Sequence, residues 1–92
     1  MKYRLEISKS AKKFLSSLPA KSRRIIGGKI DMLADNPRPR GYEPVETAAG
    51  FFRIRSGDYR IIYTINDDVL LVLVVCIGFR DKVYKELKRL LK

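Results

Sequence analysis

A chain of 92 residues, 46% of them hydrophobic, suffices for one small domain, residues 1–92, with a modest core. Its 20 Lys and Arg against 10 Asp and Glu leave a net charge of +10, which raises the expectation of a polyanionic partner, nucleic acid above all, with a merely soluble charged surface and an acidic protein partner as the alternatives. With no histidine and one cysteine, the chain excludes a Cys/His zinc site, a histidine general base and a disulfide framework.

Residues 2–7 alternate, with Tyr3, Leu5 and Ile7 facing one way and Lys2, Arg4 and Glu6 the other, as in a strand with one wet face. Ser8 or Ser10 is a candidate N-cap for a first helix, whose stripe is Ala11, Phe14, Leu15 and Leu18. Pro19 ends it and begins a second helix over residues 20–35, with Ile26, Ile30 and Leu33 inward and Gly27-Gly28 marking a close approach or a bend. The pair forms a helical hairpin with a basic outer side.

Asn36-Pro37-Arg38-Pro39-Arg40-Gly41 breaks the pattern, and residues 36–50 read as a loop with a short extended piece at 42–46. Arg38 and Arg40 are candidate contacts to an RNA backbone there; a plain surface connection competes on equal terms. A hairpin follows, with strands at 51–55 and 58–65 and Ser56-Gly57 as its turn. That register sets Arg53 against Arg60, Ile54 against Tyr59 and Arg55 against Asp58. Arg53, Arg55 and Arg60 then share one face, while Phe52, Ile54, Tyr59 and Ile61 share the other. Opposed arginines repel, so an external anion is the expected reason for the pair.

Asn66-Asp67-Asp68 makes the next turn, and the apolar run 69–77 reads as a central strand holding Cys76 as a core residue. This run is shorter than the roughly 20 residues of a membrane-crossing helix. No signal peptide is visible, so a cytoplasmic protein is expected. A last helix follows Asp81, with Val83, Leu87, Leu90 and Leu91 as its stripe, Tyr84 beside it and lysines outside. The expected fold is α+β, in the order β-α-α-β-β-β-α. It has a small four-stranded, mainly antiparallel sheet packed with an N-terminal helical hairpin and a C-terminal helix.

The arginine face is the candidate site. Guanidinium stays charged and forks onto phosphate oxygens, which suits a phosphoryl transition state that gathers negative charge. Arg80 joins the group if the last strand ends beside the hairpin turn; both ends stay open at this stage. Pairing of the arginines with Asp58, Asp81 or Glu46 is the bland alternative. Tyr84 serves equally as a packing residue or as a ring for base stacking. No metal-ligand cluster and no phosphate-cradling glycine loop is present in the sequence, so no metal or cofactor is expected.

The run R-I-R-S-G-D-Y-R-I-I-Y at 53–63, followed by I-G-F-R-D-K-V-Y at 77–84, resembles the RelE branch of the RelE/ParE toxin superfamily. The resemblance covers essentially the whole chain. It implies a toxin of a toxin–antitoxin pair that enters the ribosomal A site and cuts mRNA there. The 2′-hydroxyl attacks the adjacent phosphate without a metal and leaves a 2′,3′-cyclic phosphate. It implies that Arg53 and Arg55 contact RNA and help activate the nucleophile, and that Arg60 stabilises the phosphate. It further implies that Arg80 serves the leaving group and that Tyr84 stacks on the codon. A RelB-like antitoxin, bound as a hetero-oligomer, and the A site with its rRNA and mRNA are the implied partners.

Two departures stand out: Phe79 replaces a polar residue common in relatives, and Glu43-Pro44-Val45-Glu46 is more acidic than the usual loop. Arg53 is too strong a base to give up its proton, so charge stabilisation is its expected role, with the general base left open. The competing readings are a ParE-like gyrase inhibitor without nuclease activity and a catalytically silent ribosome- or antitoxin-binding module.

Overall fold

The computed structural model describes residues 2–92. The alternating N-terminal segment forms β1 (Arg4–Ile7). Helix α1 (Lys9–Ser16) follows, capped by Ser8, whose Oγ accepts the Ala11 N–H at 3.1 Å. Helix α2 (Ala20–Asp35) starts after Pro19 and runs through Gly27-Gly28. A Cβ at either glycine would meet nothing within 4 Å, so neither marks a close approach.

The remaining elements are β2 (Glu43–Pro44), β3 (Phe51–Ser56), β4 (Tyr59–Asn66), β5 (Leu71–Phe79) and α3 (Lys82–Leu90). The strands form one sheet in the order β1-β5-β4-β3-β2, parallel only between β1 and β5. The sheet thus has five strands where four were expected. The fifth, β2, lays Glu43 opposite Arg53 and Pro44 opposite Phe52. Two residues carry no period to read, and proline is tolerated because the strand is an edge.

The hairpin also differs from its predicted register. Its loop is Gly57-Asp58, so Ser56 pairs Tyr59, Arg55 pairs Arg60 and Arg53 pairs Ile62. Gly57 has φ +60°, the glycine-first pattern of a two-residue hairpin loop, and Ser56 stays buried in the ladder. Each partner moves by two residues, so the faces survive: Arg53, Arg55 and Arg60 still share one side. The opposed arginines are Arg55 and Arg60, not Arg53 and Arg60. The last strand is also displaced, beginning at Leu71 rather than residue 69. Asn66 Oδ1 accepts the N–H groups of Asp68 and Val69, and Leu70 takes φ +53°, which holds both apolar residues in the turn.

Two cores form on opposite faces of the sheet. Ala11, Ile26, Ile30 and Leu33 of the helical hairpin pack on Ile54, Ile61, Tyr63, Val72, Val74 and Ile77. On the arginine side, Val83 and Leu87 of α3 pack on Val45, Ala48, Ile62 and Cys76. Strand β5 serves both cores and carries a bulge: Tyr63 pairs Val74 but Ile62 pairs Cys76, leaving Val75 as the extra residue. The bulge turns Cys76 and Gly78 toward α3. A Cβ on Gly78 would lie 2.9 Å from Val83 Cα, so the helix rests directly on the strand there.

Burial pushes the Cys76 thiol up to about 12, and the residue is fully buried. Native protein at pH 8 is therefore expected to resist iodoacetamide, with labelling appearing only on denaturation; mass spectrometry reads the difference. Among the described residues, no helix is long and apolar enough to cross a membrane.

Candidate functional site

The hairpin tip gathers Arg55, Arg60 and Arg80. Pairing of Tyr59 with Phe79 and of Arg60 with Gly78 brings the end of β5 to the turn side. Arg80 then takes φ +51° and donates its backbone N–H to Asp58 O at 2.7 Å. Its Nε donates to Asp58 Oδ1 at 3.3 Å, and its guanidinium stands 5.1 Å from the Phe79 ring centre. Phe79 thus supplies a face for the cation where a polar residue is absent.

Arg60 curls back, donating from Nη1 to the carbonyls of Gly57 and Tyr59, both at 3.2 Å. Among the described residues it has no carboxylate partner. Arg55 is exposed, and its carbonyl accepts the Lys29 ammonium at 3.0 Å. Of the bland pairings, Arg80–Asp58 is present; Arg55 pairs with no acid among the described residues.

Arg53 lies two residues back along β3, about 7 Å from Arg55 in strand rise. It lines a hollow of about 310 Å³ with Glu43, Glu46, Thr47 and Tyr84. Its side chain is only 15% exposed. Nη2 donates to Glu43 Oε1 at 2.6 Å, while Nη1 is buried without a hydrogen-bond partner. An orphaned guanidinium nitrogen is costly to bury, on the order of 1–3 kcal/mol, and a phosphate oxygen is a natural partner for it. Tyr84 reaches this hollow from α3, which the contact at Gly78 positions. The structure therefore joins Arg53 with Tyr84 and, at the tip, Arg55, Arg60 and Arg80.

Arg38 belongs elsewhere. Its guanidinium forks onto Asp67 at 2.7 and 3.1 Å, and the Tyr3 hydroxyl donates to the same carboxylate at 2.5 Å. Asp67 sits in the β4–β5 turn, at the opposite end of the ladder from the hairpin tip. Arg38, then Tyr3, hold the Asp67 carboxyl down to about 2 from its ordinary 3.8. A depressed folded value means stabilisation that is complete above pH 4 and lost as pH falls toward 2. Asp67→Asn is expected to flatten that part of the curve of melting temperature against pH. Because Glu86, held to about 2 by Arg89 and Ser10, titrates in the same window, the flattening is partial.

Arg40 lines a different hollow, of about 460 Å³, with Lys29 and Arg55 at the β3 edge. Sequence reasoning noticed the acidity around Glu43 but missed its bond to Arg53. The signal was available: an extended piece at 42–46 folding back on 51–55 brings residue 43 opposite 53.

The family model for the ParE toxin of the type II toxin–antitoxin system parDE matches residues 5–84. No curated protein sequence matches the chain. Among solved structures, the chain is similar to one in the archaeal RelE–RelB complex from Pyrococcus horikoshii OT3, at 31% identity and a TM-score of 0.77. That alignment covers 89% of this chain and 99% of the other. The toxin–antitoxin complex RelBE2 of Mycobacterium tuberculosis aligns at 26% identity and TM-score 0.76, over 87% of this chain and 93% of its own. A mutant of the E. coli toxin RelE in the free state aligns at 26% and 0.76, over 97% and 98%. The chain belongs to the RelE/ParE superfamily of toxins from type II toxin–antitoxin systems, and its structural likeness is to RelE.

Proposed function

We propose that the protein is a ribosome-dependent endoribonuclease that cuts mRNA in the A site and so stops translation in the cytoplasm. The observation that carries this reading is the largely buried Arg53 side chain, with one fork nitrogen unpartnered, lining the hollow it shares with Tyr84. A codon base stacks on Tyr84, and the scissile phosphate takes the Arg53 fork. The nucleophile is the substrate's own 2′-hydroxyl. As its oxygen bonds to phosphorus its proton passes to water, the bond to the 5′ oxygen breaks and that oxygen takes a proton from water, leaving a 2′,3′-cyclic phosphate and a 5′-hydroxyl. Arg60 and Arg80 at the tip balance the charge that collects on the phosphoryl and leaving oxygens. Guanidiniums stay protonated, so these residues act by charge, and the ribosome supplies much of the rate by orienting the RNA.

The natural partner in this reading is a RelB-like antitoxin, as in the complexes of its relatives, bound as a hetero-oligomer whose acidic side chains face the arginines. Purification of the native protein with its neighbours should retrieve it. The decisive experiment maps RNA ends in a purified translation system. Cuts are expected within A-site codons, and the Arg60→Ala, Arg80→Ala double variant should leave the message whole. Continued cutting by that variant would remove the tip from the mechanism.

The family model that matches is that of ParE toxins, which favours keeping a second reading: a gyrase poison without nuclease activity. Loss of supercoiling by gyrase with intact mRNA would select it.

A further inference from the structure

Tyr84 separates two hollows. One holds Arg53; the other, of about 620 Å³, runs along α3 toward the C-terminus. Ala48 and Leu87 are buried in its floor, and Leu91, 52% exposed, extends that apolar surface. Lys85 and Lys88, three residues apart on α3, rim it together with Lys92 just past the helix end. None of its lining residues is acidic, whereas the Arg53 hollow contains both Glu43 and Glu46. Nor is any of the three lysines paired with a carboxylate among the described residues, although Arg89 on the same helix is paired with Glu86.

An apolar floor with a wholly cationic rim suits a ligand that is flat and apolar in its body and anionic at its edge. That is a nucleotide. We infer that this second hollow is a subsite for the nucleotide adjoining the one on Tyr84, on the side away from Arg53. The inference rests on the endoribonuclease reading and extends it: the RNA strand crosses over Tyr84, with its base held on Ala48, Leu87 and Leu91. Its phosphate is met by Lys85, Lys88 and Lys92. The contacts are to base faces and phosphates, so the subsite binds RNA with little base preference.

The test is an amide NMR titration of the full chain with a 2′-O-methylated ribotrinucleotide, which is not cleavable, against the mononucleotide. The mononucleotide should move the amides of Arg53 and Tyr84. The trinucleotide should also move those of Leu87, Lys88 and Leu91. A Lys85→Ala, Lys88→Ala, Lys92→Ala variant should bind the trinucleotide about tenfold more weakly and flatten log K against log salt by about 0.7, as loss of the one phosphate contact beyond that on Arg53 requires. Its wild-type amide dispersion outside α3 checks that it folds. Trinucleotide shifts confined to the Arg53 hollow, with unchanged affinity in the variant, overturn the subsite and leave the nuclease reading standing. Silence at both hollows also overturns the subsite, and the ribosome assay then judges the nuclease reading separately. Shifts in the second hollow produced by an acidic amphipathic peptide but not by RNA overturn it in favour of a protein partner.

Discussion

Arg53→Met is expected to melt at or above the wild-type temperature while cutting A-site mRNA at least about 10²-fold more slowly. The two effects have one cause. Methionine fills much of the volume of the arginine stem, so packing in the hollow is largely kept. It removes Nη1, which is buried without a partner. The lost ion pair involves Glu43, whose side chain is 56% exposed, and so contributes little to stability. The same nitrogen that burdens the fold is the one the phosphate would satisfy, a common arrangement where function and stability compete. Thermal denaturation and cleavage mapping on one preparation read both outcomes, and a stable variant that cuts at the wild-type rate would take Arg53 out of the site.

Glu43 sharpens the point. It already occupies Nη2 at 2.6 Å, so a phosphate that takes both arms of the fork must displace it. Glu43→Gln is expected to speed cleavage a few-fold, because a neutral amide competes less well for a guanidinium. Glu46→Gln is the control, since Glu46 lines the same hollow and makes no ion pair with Arg53.

Gly78→Ala should cost about 1–3 kcal/mol of stability, as overpacking does, and should lower cleavage as well. The added methyl would lie 2.9 Å from Val83 Cα and 3.1 Å from its backbone nitrogen. Those are main-chain atoms, so α3 must lift as a unit and carry Tyr84 away from Arg53. Trimming Val83 to alanine in the same protein should bring no recovery, because the Cα and nitrogen stay. A denaturant titration of the single and double variants measures this, and full recovery in the double would show that the side chain alone sets the contact.

The helices and β1 were legible because each carries a full period of apolar residues. The faces of the hairpin were legible too, since alternation survives a register shift of two. The register itself was not: Ser56-Gly57 and Gly57-Asp58 are both acceptable turn pairs, and only the backbone reveals that glycine stands first. Strand β2 was too short to show a period, and with it went the Glu43–Arg53 pair. Arg80 was identified as a candidate by its place after the last strand, but which end of the hairpin it joins depended on that strand's pairing. Arg38 illustrates the limit of reading cations singly: Tyr3 and Asp67, far away in sequence, claim it.

The extra residue in β5 has a wider consequence. Val75 acts as a phase converter: the even-numbered residues of the strand face the helical hairpin before it and α3 after it. Were the ladder instead to close without the bulge, pairing Val75 with Ile62, every later side chain would change sides. Ile77 would turn toward α3 and Gly78 away from it, and the flat seat on which α3 rests would be gone. The helix that carries Tyr84 is thus keyed to the rest of the fold by the parity of a single strand, and a frame error of one residue there would separate a sheet that still forms from a site that does not.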